Sequence, residues 1–309
     1  MEATEIIKAL EELNYENILF ASSKEAVLSR EIIRFKAKLS EGILWYPLAR
    51  YKKRRAIGKI PGVDHPVNWD EKRWRSLMHE GDPRKKTVVY SCIAGDYDSP
   101  QRPLYYTDCC DYIMYMNTAS DIAVDGWTVR QIPNEIKTLG DNTMINRYIK
   151  MHPTELFEKE YDYAVYIDGN IRPVTDLSVL CELIDQNVGI AMHRHCFRSS
   201  IYDEIEACLI MQKGNKRQLL EQKERYKREH FPDDFGMAEC NVIATDLHSE
   251  EAKRIADQWW KEFCATGSGR DQISLPYVLW KMDHTVDQVT TLGDNVSKNP
   301  KLRIKNHEK

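Results

Sequence analysis

No stretch of the 309-residue chain stays apolar for the roughly 18 residues that a membrane-crossing helix needs. The first residues, Met1-Glu2-Ala3-Thr4-Glu5, are acidic, so neither a span nor a secretory leader is expected. Eight cysteines are scattered, with Cys109 and Cys110 adjacent and no C-x-x-C pair. That argues against a zinc site or a disulfide scaffold and for reduced thiols. G-x-G-x-x-G and G-x-x-x-x-G-K-[ST] are both missing, which removes support for a dinucleotide fold of the usual kind and for a P-loop NTPase. With a net charge of −4 the chain lacks the basic excess of a protein that holds nucleic acid by bulk electrostatics. What it does have is 42% hydrophobic and 10% aromatic residues, enough for a packed core. A soluble, cytoplasmic, globular protein is expected.

The first forty residues read as two helices. Ile6, Ile7, Leu10 and Leu13 share a face of the first, and the second spans Ser23 to Leu39 with Val27, Leu28, Ile32 and Ile33 expected inward. An aromatic-apolar patch (Leu44, Trp45, Tyr46, Leu48) then adjoins a basic cluster (Arg50, Lys52, Lys53, Arg54, Arg55, Lys59). Such a pairing suits either an accessory arm with a solvated basic side or peripheral contact with an anionic membrane. Pro and Gly punctuate residues 60–84, with one short helix near Glu71 to His79, which sets a boundary between a helical extension, 1–83, and a main domain, 84–309. In that domain strand-like runs at Thr87–Ile93, Tyr112–Met116, Trp127–Ile132, Tyr163–Ile167, Val188–Met192 and Val242–Thr245 alternate with helical patterns at Asn142–His152, Leu177–Asp185, Ile201–Glu229 and Glu250–Phe263. The alternation predicts an α/β domain around a mostly parallel sheet.

The most informative stretch is Tyr161 to Arg172, YDYAVYIDGNIR. Its apolar run ends abruptly in Asp168-Gly169-Asn170, as a buried strand does when its C-terminal end presents a carboxylate at the ligand edge of a sheet. Asp168 and Asn170 flank a glycine, so two side-chain oxygens are available to one hard cation. The first strand ends in Ala94-Gly95-Asp96-Tyr97-Asp98, which suits either a ligand-facing turn or a plain one. Asp108, in Tyr105-Tyr106-Thr107-Asp108, suits either a contact to a nucleobase or ribose or a turn. Arg147 and Lys150, three apart on one helix face, match a diphosphate but also a surface charge pair. His193-Arg194-His195 follows a strand and offers substrate, metal or structural hydrogen-bonding roles. Gly267-Ser268-Gly269-Arg270-Asp271-Gln272 has the backbone freedom of a loop that wraps a ligand. Of Trp259 and Trp260, one is expected to stack on a sugar or both to pack in the core.

Taken in order, AGDYDS, YTD, Asn134 followed by RYIKMHP, YAVYIDGNI, HRHCFRSSIYDEIEA, the Trp pair and RDQISLPYV resemble a glycosyltransferase-like domain. This is the domain shared by plant pectin and mucilage transferases (the TOD/MUCI type) and bacterial polysaccharide-locus proteins. The similarity spans roughly Lys86 to Trp280 and leaves the first 80 residues uncovered. It implies a GT-A-type, Rossmann-like fold, a nucleotide-sugar donor (UDP-sugar first) and a glycan acceptor. By resemblance Asp168-Gly169-Asn170 stands where such enzymes place D-x-D, with Asn in the last position leaving one carboxylate fewer for Mn²⁺ or Mg²⁺. A third metal ligand near the C-terminus is implied, with His307 the candidate and His284 the reserve. The donor set implied is Ala94, Asp96, Tyr97, Asp108, Arg147, Lys150, Asp168 and Gly169. Asp271, with Arg270, takes the catalytic position, as a base in an inverting enzyme or a stabiliser of a cationic sugar in a retaining one. Its pairing with Gln272 resembles retaining glycogenin-like transferases. His193, Arg194 and Gln272 are expected on the sugar or acceptor. Two other readings stand beside this one: a non-catalytic nucleotide- or glycan-binding module with a degenerate metal site, and a metal-dependent phosphohydrolase or nucleotidyltransferase.

Overall fold

The computed structural model of the protein describes residues 2–62, 71–95, 98–117 and 126–305. The strands are β1 (Thr87–Ile93), β2 (Cys110–Met116), β3 (Thr128–Gln131), β4 (Tyr163–Ile167), β5 (Ile171–Pro173), β6 (Ile190–Arg194), β7 (Ala238–Asp246) and β8 (Leu302–Ile304). N-terminal to them lie helices α1 (Ala3–Ser22), α2 (Lys24–Ser40), α3 (Tyr46–Ile57) and α4 (Glu71–Ser76). Between β3 and β4 run α5 (Asn134–Lys137), α6 (Asn142–Met151) and α7 (Pro153–Phe157). Two more, α8 (Ile201–Met211) and α9 (Lys216–Arg228), precede β7, and α10 (Glu250–Thr266), α11 (Asp271–Lys281) and α12 (Val286–Val289) follow it.

Six strands form one sheet in the order β3-β2-β1-β4-β7-β6, while β5 and β8 pair separately. The run from β3 to β4 is parallel, and β7 is antiparallel to both β4 and β6. This is the mostly parallel α/β sheet flanked by helices that the sequence predicts. β1 lies between β2 and β4 with every residue buried, which is why it carries no charged residue and is mostly apolar. Alternation along it divides the core. Val88 and Tyr90 join Tyr166, Ile149, Phe157 and Trp259 on one face, and Val89 and Ile93 join Val165, Leu177, Leu180 and Leu302 on the other.

Three local expectations differ. Leu177–Asp185 forms only a 3-10 turn over Ser178–Leu183. The Ile201–Glu229 pattern breaks into two helices where Gln212 and Gly214 take left-handed backbone at φ 58° and 76°. On α2, no residue is buried, so Val27, Leu28, Ile32 and Ile33 point to solvent rather than inward. By contrast α1 is fastened to the main domain: the buried Glu11 carboxylate accepts from Thr175 Oγ1 (2.5 Å), Lys301 Nζ (2.6 Å) and Trp74 Nε1 (2.5 Å). Asn14 Nδ2 donates to the carbonyls of Pro300 and Leu302, so the network crosses residue 83.

Candidate active site

Where the parallel strands end, the sheet opens into a cleft of about 1510 Å³. That exceeds the about 300–1,000 Å³ of a single small-molecule pocket and leaves space for two substrates. Its floor is built from strand ends and its walls from α6, the loop before α11 and the end of α3. Asp141 starts α6 by accepting from Thr143 N (2.6 Å), and Asn146 Nδ2 donates to the Cys92 carbonyl (2.8 Å), clamping the helix to β1. The same face then delivers Arg147 and Lys150 to the floor. Gly95 (φ 77°) lets the first turn approach α6, since a Cβ there would lie 2.6 Å from Asn142 Nδ2. Gly169 has a parallel reason, because a Cβ would stand 2.8 Å from Ile93 Cγ1.

Four charged groups meet on that floor. Lys150 Nζ donates to Asp271 Oδ2 at 2.7 Å and stands 3.7 Å from Asp168 Oδ1, and Arg147 Nε lies 3.1 Å from Asp271. Burial alone would push the Asp271 carboxyl up, but Arg147 and Lys150 overcome it and hold the group well below the usual carboxylate range. Burial works against the Arg147 charge too, and Asp271 and Asp168 more than offset it, keeping the guanidinium protonated. Trp259 Nε1 donates to the Asp271 carbonyl (2.9 Å), fixing the backbone from which the carboxylate projects. The thiols of Cys92 and Cys240 also line the cleft, yet burial raises both, Cys92 to about 12, so neither is a thiolate nucleophile at neutral pH.

Of the residues singled out from sequence, Ala94, Arg147, Lys150, Asp168, Gly169, Arg270, Asp271 and Gln272 are brought together in this one cleft. Asp96, Tyr97 and His307 lie outside the described residues. Asp108 does not reach the cleft: it precedes β2, a strand parallel to β1, so it sits at the opposite, N-terminal edge of the sheet. His193 is fully buried, its Nε2 3.0 Å from Asn299 Nδ2, and burial lowers its pKa to about 3; it touches no substrate space. Arg194 turns outward to Asp287 and Asp294. Trp259 is buried in the core and Trp260 is half-buried against it, edge-on to Tyr148 and His152. His284 binds Glu251 (2.6 Å) and is not a cleft residue.

The cleft also holds residues not anticipated in these roles. His195 accepts from the Phe197 and Arg198 amides through Nδ1 (3.1 Å each), leaving Nε2 between Glu204 (3.6 Å) and Glu239 (3.7 Å). Gln272 Nε2 donates to Glu239 (3.0 Å), and Arg198 Nε to Glu204 (2.5 Å). Glu239 opens β7, and because that strand is antiparallel its beginning, not its end, lies at the ligand edge. Asn241, two residues further along the same strand, lines the cleft with a buried Oδ1 that has no hydrogen-bond partner among the described residues.

For a divalent cation, the described residues hold no cluster of three or more His, Cys, Asp or Glu. Asp168 and the Asn170 Oδ1 are hard oxygen donors of the right type. The other amide atom of Asn170, Nδ2, donates to the Lys305 carbonyl (2.9 Å), which orients the side chain and ties the C-terminal strand to this loop. Asp168 lines the cleft and Asn170 is not among its lining residues, so the described residues bring one carboxylate, and no cluster of ligands, to the floor for a cation.

The architecture is thus a mixed α/β layering around a mostly parallel sheet, with a charged cleft at the strand ends. Residues 78–300, well over half of the chain, match the family described as TOD1/MUCI70, glycosyltransferase-like domain, and the chain belongs to that family. Glycosyltransferase is therefore its class. No curated protein matches it. Among solved structures it is similar to mouse xyloside xylosyltransferase 1 in its apo form, with 11% identity, a TM-score of 0.39, and 66% of this chain and 83% of that one covered. It is also similar to apo WbbM, a bifunctional glycosyltransferase, with 12% identity, a TM-score of 0.37, and 65% and 39% covered.

Proposed function

We propose that the protein moves a hexose from a nucleotide sugar, UDP-hexose first among the candidates, to a glycan acceptor bound in the same cleft. Its setting in this reading is surface-polysaccharide assembly in the cytoplasm, peripheral to the inner face of the membrane. The observation that carries it is the Arg147-Lys150-Asp168-Asp271 group on the cleft floor of a glycosyltransferase-family domain.

In transfer, the bond from the anomeric carbon to the diphosphate breaks and its electron pair leaves with the nucleoside diphosphate. Arg147 and Lys150 are the cations that face this growing negative charge, one as a fork and one as a point charge. Asp271 is held too strongly ionised to serve as a proton acceptor near neutral pH. We therefore give it the charge-stabilising role beside the sugar, with Arg270 behind it, and favour a retaining course. On that course the acceptor hydroxyl bonds to the anomeric carbon and loses its proton to the departing diphosphate. Gln272 and Glu239 orient the acceptor. Asp168 and Asn170, with His307 from beyond the described residues, would hold Mn²⁺ or Mg²⁺, which supplies Lewis-acid charge neutralisation when bound.

The test is a melting screen with UDP-, GDP- and CDP-sugars, with and without Mn²⁺, followed by assay of released nucleoside diphosphate. If no nucleoside diphosphate protects the fold, the reading fails. One observation favours a non-catalytic binding module instead: Asn170 both lacks a carboxylate and is tied to the Lys305 carbonyl. Binding without turnover would select that module, and release of inorganic phosphate or pyrophosphate would point to a hydrolase or nucleotidyltransferase.

A further inference from the structure

The α2–α3 hairpin presents apolar surface that nothing in the described chain covers. On α2, Leu28, Ile32, Phe35 and Leu39 follow one another at helical spacing and are exposed at 61%, 44%, 39% and 43%. In the turn and on α3, Leu44 (74%), Trp45 (68%), Leu48 (57%) and Tyr51 (61%) are more exposed still. Continuing from Leu48 along the same stripe of α3 come Lys52 and Arg55, with Lys59 just past the helix end, all exposed.

The hairpin is nevertheless tied together and to the main domain. Glu31 on α2 takes Arg50 Nε at 2.5 Å and Arg54 at 3.1 Å, joining the two helices. The inner side of α3 packs on α8, where Lys53 Nζ donates to the Met211 carbonyl (3.3 Å). Just beyond, Ile57, Ile60 and Pro61 line the catalytic cleft. An outward apolar face on a helix already packed on its other side is not core left over from folding.

Charge decides what covers it. Residues 24–60 hold eleven Lys and Arg against three Glu, a net of +8, which leaves −12 on the remainder of a chain whose total is −4. A second copy would set +8 against +8. A bilayer with anionic headgroups offers apolar depth for Trp45 and Leu48 and negative charge for Lys52, Arg55 and Lys59.

We propose that the α2–α3 hairpin is a docking surface for an anionic membrane, making α3 a wall shared by the bilayer and the cleft. Resting on the transferase reading, this sets the cleft beside the lipid surface, where an acceptor glycan carried on a membrane anchor has direct access.

The test is co-sedimentation of the full chain with phosphatidylcholine vesicles lacking or containing phosphatidylglycerol, at low and high salt. The expected result is binding at least tenfold stronger to the anionic vesicles, weakened by salt. It should be lost both in Trp45→Glu/Leu48→Glu and in Lys52→Glu/Arg55→Glu/Lys59→Glu. None of these side chains lines the cleft, so both variants keep the wild-type melting temperature and UDP response. Equal binding to both vesicle types, no binding, or variants that bind as the wild type does would overturn the proposal. So would a concentration-dependent dimer, by light scattering, that the same substitutions abolish. Vesicle binding without any nucleoside-diphosphate binding would sink the transferase reading and leave the docking surface standing.

Discussion

Replacing Asp271 by Asn should destabilise the fold and tighten nucleoside-diphosphate binding in the same protein. The carboxylate is 3% exposed and neutralises two cations, Lys150 at 2.7 Å and Arg147 at 3.1 Å. Removing one partner of a buried ion pair costs about 3–5 kcal/mol. Asn keeps an oxygen acceptor, and Asp168 remains 3.7 Å from the ammonium, so the lower end, about 3 kcal/mol, applies. Arg147 and Lys150 are then short of negative charge, which a diphosphate supplies. UDP should bind about tenfold more tightly, worth about 1.4 kcal/mol, while turnover falls by about 10² or more. Because the carboxyl is held below its ordinary value, its stabilisation is present above the unfolded carboxyl's pKa of about 4 and fades as pH falls through the folded value. The unfolding free energies of the two proteins should therefore converge below about pH 4. Urea unfolding followed by circular dichroism at neutral and acid pH, with calorimetric titration of UDP, reads all three effects. Stability unchanged at neutral pH, or weaker UDP binding, would refute the assignment of Asp271 as the counter-ion of the cleft cations.

Three other outcomes follow from the same structure. Gly169→Ala should cost about 1–3 kcal/mol, because the new methyl meets Ile93 Cγ1 at 2.8 Å; melting temperature and turnover together check it, activity falling further than stability explains. Glu11→Ala should cost about 3–5 kcal/mol by stranding the buried Lys301 ammonium, seen as a lower urea midpoint and faster proteolysis within α1. His193 stays neutral because burial lowers its pKa to about 3. Its imidazole signals in NMR should not titrate near neutral pH, and stability should fall by up to about 1.4 kcal/mol per pH unit below the unfolded value of about 6.5 until the folded one is reached.

The central strands were legible because burial on both faces leaves a mostly apolar run free of charge, with little freedom in where it ends; Thr87–Ile93 and Tyr163–Ile167 are found as read. The floor of the cleft was legible for a related reason, since Asp168 follows a parallel strand and strand direction alone carries it to the ligand edge. A residue before a strand is harder to place, because its edge depends on a strand direction that the sequence does not show. Asp108 precedes a parallel strand and lands at the far edge, while Glu239 precedes an antiparallel one and lands in the cleft. His193 and His195 could not be told apart by alternation, because the β6–β7 pairing shifts register between Met192 and His193. Helical periodicity also says that Leu28, Ile32 and their neighbours share a face without saying what that face meets. The packing of α3 on α8, which no local pattern encodes, decides it.

The Glu11–Lys301 pair bears on how the chain is made. Its partners lie 290 residues apart, so at about 5–20 residues per second the glutamate leaves the ribosome roughly 15 to 60 s before the lysine that completes its pocket. During that interval Trp74 and Thr175 are already there to bond Glu11, but its carboxylate lacks the cation that neutralises it. Lys301, immediately before β8, is thus the last partner to arrive in a pocket begun by the first helix.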